Sequence, residues 1–174
     1  MTRRAFPIIA SCVLLAGCGD SALTSGLGSD AGETLDARAV ETGVLPNPDK
    51  IAFAGRFEMR SDLGFDKFCA VNTGANRFDI GFLAVFGPES KCEGTGTASV
   101  EGDKVEITLN GKGACTFAAR YDGIELRFAG AVESGCARYG SEKASLSGTH
   151  YFRIEPGDSA ARDTLGREIE RLCG

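Results

Sequence analysis

The 174-residue chain has no tryptophan, two methionines, one histidine (His150) and no C-x-x-C pair among its seven cysteines. Structural zinc sites draw on closely spaced Cys and His ligands, so this spacing predicts no metal site. His150 has no serine in a nucleophile-elbow context to activate, which removes the Ser-His-Asp mechanism, and it reads as a structural side chain on a strand. Gly94-Thr95-Gly96 and Gly111-Lys112-Gly113 do not open a helix after a strand, so neither is a phosphate-binding loop. The acids fall mostly on polar faces or in turns, where no pair stands out for glycoside hydrolysis. Basic residues are not in excess either: 19 Lys and Arg stand against 24 Asp and Glu, which argues against a nucleic-acid partner. No cofactor and no catalytic residue is expected, and the chain reads as a non-enzyme.

What is present begins at the N-terminus, MTRRAFPIIASCVLLAGCGD. Arg3 and Arg4 precede an apolar run over 5–16, too short for a membrane-spanning helix of about 20 residues and suited to a signal peptide that is removed. Leu15-Ala16-Gly17-Cys18 resembles a bacterial lipobox. That resemblance implies cleavage before Cys18, diacylglycerol on its thiol, acylation of the new amine, and a membrane partner held by acyl chains. Thr2-Arg3-Arg4-Ala5-Phe6 is also similar to a twin-arginine export signal, so the export route stays open. Gly19 after the cysteine implies, by the family's sorting rule, the outer membrane, facing the periplasm. Removing residues 1–17 takes two bases and no acid, leaving 17 bases against 24 acids and a net charge of −7.

Residues 18–50 form an expected lipid-anchored tether: no sustained apolar period, several glycines, Pro46-Asn47-Pro48 and an acidic balance. Residues 33–41 admit a short helix. From Ile51 to Ile154 the apolar period becomes two, as in Val105, Ile107 and Leu109 or Ile124, Leu126 and Phe128. Turn signals at Gly102-Asp103, Asn110-Gly111 and Asp122-Gly123 separate the runs. Eight strands are predicted, at 51–60, 67–72, 77–86, 94–101, 104–110, 114–121, 124–132 and 143–154. The fold class is all-β: an eight-stranded antiparallel up-and-down barrel, with a two-sheet sandwich as the alternative. The 11 phenylalanines favour a filled interior. In 155–174, Ala161, Leu165, Ile169 and Leu172 keep a helical spacing, so a helix over 158–172 is expected on the barrel.

Export places the cysteines in an oxidising compartment, which favours disulfides. In a meander, Cys69, Cys92, Cys115 and Cys136 all fall at the end away from the tether. Pairing neighbouring loops predicts Cys69–Cys92 and Cys115–Cys136. Cys173 is then a free thiol, or it displaces Cys136. Loops 60–67, 86–94 and 132–143 share that far end, an arrangement common in binding scaffolds.

Within the last loop, Ser134-Gly135-Cys136-Ala137-Arg138-Tyr139 resembles the Ser-Gly-x-Arg-Tyr loop of the membrane-bound lysozyme-inhibitor lipoproteins, small eight-stranded barrels. One extra residue breaks the spacing and the family's following tryptophan is missing. The resemblance implies a protein partner met by Ser134, Arg138 and Tyr139, with the loop entering an enzyme cleft. Small protease-inhibitor barrels share the layout. The functional expectation is a non-enzymatic binding or structural barrel on a lipid tether, with inhibition of a hydrolase such as lysozyme or a protease as the alternative.

Overall fold

The computed structural model describes residues 52–174 together with 34, 35, 37–39, 41 and 42. Cys18, the signal peptide over 1–17 and most of the 18–50 tether lie outside the described residues. The described residues between 34 and 41 are helical.

Eight strands close a barrel in chain order, every neighbouring pair antiparallel. They are β1 (Gly55–Ser61), β2 (Gly64–Gly74), β3 (Arg77–Val85), β4 (Lys91–Glu101), β5 (Lys104–Asn110), β6 (Thr116–Tyr121), β7 (Glu125–Phe128) and β8 (His150–Pro156). Closure leaves no unpaired sheet edge. Alternation sets the faces: in β5 Val105, Ile107 and Leu109 point inward and Lys104 and Glu106 point out. Gly102, with φ 61°, makes the two-residue turn between β4 and β5, a backbone region that L side chains rarely enter.

Rings fill the interior. Phe53, Phe57, Phe68, Phe78, Phe117, Tyr121, Phe128 and Tyr151 form one connected set, with centroids 4.8–6.2 Å apart. Phe53, just before β1, closes the end where the chain comes in. At the other end, here the far end, the segment 129–149 folds over the opening. It contains a 3-10 helix at Ser134–Tyr139 and buries Tyr139 and Leu146.

All three expected far-end loops differ from the sequence expectation. The 86–94 loop shrinks to 86–90, because Lys91, Cys92 and Glu93 of β4 already pair with Val85, Ala84 and Leu83 of β3. β1 and β2 are joined by a two-residue turn, Asp62-Leu63, instead of a loop over 60–67. β7 stops at Phe128 and β8 starts at His150, because Ala129 to Thr149 turn across the far end to cap it.

The C-terminal helix is also shorter than 158–172. α1 covers only Asp158–Arg162, and residues 163–174 form a strap that doubles back, with Leu165 bridged to Arg171. The cause is Glu93, which points outward from β4 and lies 5 % exposed. Its Oε1 accepts the amides of Arg167 (2.8 Å), Glu168 (3.2 Å) and Ile169 (3.2 Å), and Oε2 accepts the Glu168 amide at 3.0 Å. Lys91 Nζ adds a 2.8 Å bond to the same carboxylate. A continued helix would commit those amides to carbonyls one turn back. Charge-assisted bonds are stronger, and a short helix is easily interrupted. Of the expected apolar stripe, Ala161 and Leu172 are buried, Ile169 is half-buried and Leu165 is exposed.

The strap explains why β3 is apolar on both faces. Cys69, Val71, Leu83 and Val85 point outward and form a second core with Ala161, Leu172 and Cys173. Gly81 permits the contact: a Cβ there would lie 2.1 Å from the Leu172 carbonyl oxygen.

Candidate functional site

Among the described residues two disulfides form, Cys69–Cys173 and Cys115–Cys136. The expected Cys69–Cys92 bond does not. Phe68 and Phe82 face the interior, so Cys69 faces out; Cys92 belongs to the interior set. The wall of the barrel separates the two thiols. Cys173 is therefore a partner and Cys92 the free, buried thiol. Burial pushes the Cys92 thiol up to about 11, which keeps it from acting as a nucleophile at neutral pH.

The Cys115–Cys136 bond fastens the 129–149 segment to the loop between β5 and β6. Further bonds lock its other arm to the start of β4: the Ser141 amide donates to the Lys91 carbonyl (2.9 Å), and the Lys91 amide to Ser141 Oγ (3.1 Å). Gly140 bridges to Cys92, and no side chain fits there, since a Cβ would fall 2.4 Å from Cys92 Sγ. The far end is a sealed, braced cap.

Within that cap the three residues singled out from sequence separate. Ser134 and Arg138 are exposed, whereas Tyr139 is 2 % exposed. The Tyr139 hydroxyl donates to the Gly113 carbonyl (3.0 Å) and accepts from the Lys112 amide (3.2 Å). Tyr139 is thus a plug, with its ring turned inward by the 3-10 helix and unable to meet a partner. No regular period of two or 3.6 runs through this segment, so its inward and outward positions were not legible.

The interior is occupied by the packed rings described above. A hollow of about 610 Å³ lies outside the barrel over β4–β7. Ala118 contributes to its floor, and Glu101, Lys104, Glu106, Arg120 and Arg127 border it. Lys104, Arg120 and Arg127 stand in register on consecutive strands, an arrangement that repels. Carboxylates relieve it, since Arg120 pairs with Asp103 at 2.9 Å and Arg127 with Glu125. His150 continues that row on β8 and packs edge-on against Phe152, 5.8 Å away. It is a surface side chain with an aromatic neighbour, on the outside of the barrel. Among the described residues no group of three or more His, Cys, Asp or Glu side chains is placed to hold a metal ion, and no described helix is long and apolar enough to cross a membrane.

No family model, curated protein or solved structure matches the chain.

Proposed function

We propose that this chain is a lipid-anchored cell-envelope protein whose barrel is a non-enzymatic binding module, working through its outer surface and capped far end. The barrel is small, closed and compatible with such a role. One observation carries the reading: the interior is packed with rings while the 129–149 cap is braced by a disulfide and strand-like bonds at the end opposite Phe53. A scaffold of that kind presents fixed surfaces, and its interior is filled by side chains. The anchor belongs to the lipobox residues, with Cys18 as the acylated position and the outer membrane as the destination. The disulfides are compatible with an oxidising, extracytoplasmic setting.

Metabolic labelling with a palmitate analogue in a bacterial host tests the anchor. Label on the wild-type chain that disappears in Cys18→Ser, with a precursor longer by residues 1–17, is the expected result. An unlabelled, soluble wild-type product would end the lipoprotein reading.

A second reading, inhibition of a hydrolase such as lysozyme or a protease, is favoured by the exposure of Ser134 and Arg138 on the disulfide-braced cap. It requires a stoichiometric complex with such an enzyme that Arg138→Ala weakens.

A further inference from the structure

We infer that the tip of the β1–β2 hairpin and the adjoining strap form a docking surface for an acidic protein segment with an apolar anchor. This rests on the reading of the barrel as a binding module and assigns it a surface. Three large apolar side chains from two stretches of chain, the hairpin and the strap, are exposed there: Leu63 (54 %), Phe65 (44 %) and Leu165 (52 %). Their surroundings tie them together. The Arg60 guanidinium lies 4.7 Å over the Phe65 ring. Lys67 Nζ donates to the Leu165 carbonyl at 2.9 Å. Arg167 reaches back so that its Nη2 is 3.7 Å from where a Cβ of Gly64 would stand.

The cations give the patch its sign. Arg56, Lys91, Arg120, Arg127 and Arg171 each meet a carboxylate. Arg60, Lys67 and Arg167, like several other described cations such as Arg77 and Lys143, form no ion pair among the described residues; what sets these three apart is that they surround one apolar centre, with polar contacts only to a ring or to carbonyl oxygens. They border an aromatic and aliphatic centre in a chain of net charge −5. Protein interfaces concentrate aromatic side chains and arginine in this way, and a partner's carboxylates would complement the three cations.

Two other occupants fit less well. Asp62 is exposed at the hairpin tip beside Leu63, so insertion into an anionic bilayer would carry a negative charge in first. A two-fold dimer through this patch would bring its cations against their own copies.

Fluorescence anisotropy on the folded chain from residue 19 tests the surface. The probes are a labelled synthetic peptide alternating Glu with Leu and Phe, the same peptide with Lys for Glu, and phosphatidylglycerol vesicles. The acidic peptide should bind, weaken with salt, and lose about tenfold or more in affinity, or about 1.4 kcal/mol, with Phe65→Ser and with the pair Arg60→Glu and Arg167→Glu. The Lys peptide should not bind. Unchanged melting temperatures check that the variants fold. Failure of the acidic peptide, insensitivity to these substitutions, vesicle binding abolished by them, or a patch-dependent dimer in sedimentation would each overturn the proposal. A native partner whose complex survives the same substitutions would overturn this surface while leaving the binding module standing.

Discussion

Cys69 and Cys173 are joined on the outer face of the barrel across 104 residues of sequence, with their Cα atoms 6.1 Å apart. The bond pins the end of the strap to the middle of β2, over the second apolar core. Closing so long a loop restricts the unfolded chain, with an expected effect of about 4–5 kcal/mol in the chain-entropy model. Cys173→Ser should lower the urea midpoint by several times the change produced by Cys92→Ala. Equal effects of the two would contradict the pairing, as would a Cys69 peptide that alkylates without reduction.

Glu93 couples the strap to pH. Burial alone would raise its pKa, but the bonds from Lys91 and the amides of Arg167, Glu168 and Ile169 outweigh that and hold it below the ordinary 4.5. A carboxylate depressed in the folded state adds stability that is present above the unfolded value and lost as pH falls through the folded one. Stability should therefore decline below about pH 4.5, and Glu93→Gln should flatten that decline. At neutral pH Lys91 keeps its second partner, Glu168, at 3.1 Å, so the substitution should cost no more than a charged hydrogen bond, about 1.5–3 kcal/mol. Thermal melts of both proteins across pH 3 to 7 check the sign; parallel curves would refute it.

Gly140 and Cys92 should behave as a coupled pair. Alanine at 140 drives its Cβ to 2.4 Å from Cys92 Sγ, and overpacking of this kind costs about 1–3 kcal/mol. In a Cys92→Ala background the clash with sulfur is gone, so the penalty should shrink by about 1 kcal/mol or more. A double-mutant cycle in urea measures the coupling. Strictly additive effects would mean that the cap does not rest on the thiol.

Two buried tyrosines should respond oppositely to loss of their hydroxyls. Tyr151 is fully buried, and its hydroxyl faces the Thr149 side chain without a well-formed hydrogen bond; burial makes the phenol harder to ionise. Tyr121 donates to the Gly123 carbonyl at 2.9 Å. Tyr121→Phe should cost about 1 kcal/mol, whereas Tyr151→Phe should be neutral or stabilising. Equilibrium unfolding of the two variants decides it; a larger loss at Tyr151 would show that its hydroxyl is satisfied.

Legibility followed periodicity. β5 could be drawn residue for residue, because Val105, Ile107 and Leu109 alternate with Lys104, Glu106 and Thr108 and turn residues stand at both ends. The cap was only partly legible: 133–142 reads as a far-end loop, but 129–132 and 143–149 read as continuations of the seventh and eighth strands, which the structure instead turns across the opening. Tyr139 therefore looked like a contact residue when it is a plug. The strap misled for the opposite reason: Ala161, Leu165, Ile169 and Leu172 do keep a helical spacing, but a carboxylate 74 residues earlier captures the amides that the helix needs. The candidate docking patch left little sequence signal, because Leu63 and Phe65 lie on the β1–β2 hairpin while Leu165 comes from the strap, 100 residues after Phe65.

Local patterning alone determined the strand count, the antiparallel class, the filled interior and the alternation of faces, because in a strand the side-chain direction repeats every two residues. Only the tertiary structure decided which thiols bond, where the C-terminal helix stops and which loop side chains reach solvent. Those outcomes depend on which face of a curved wall a residue occupies and on what arrives from distant sequence. Cys69 lies in the middle of β2, not at the far end as the meander suggested, while Cys92 stands near the start of β4; the two open onto opposite sides of the sheet, and no spacing along the chain records that.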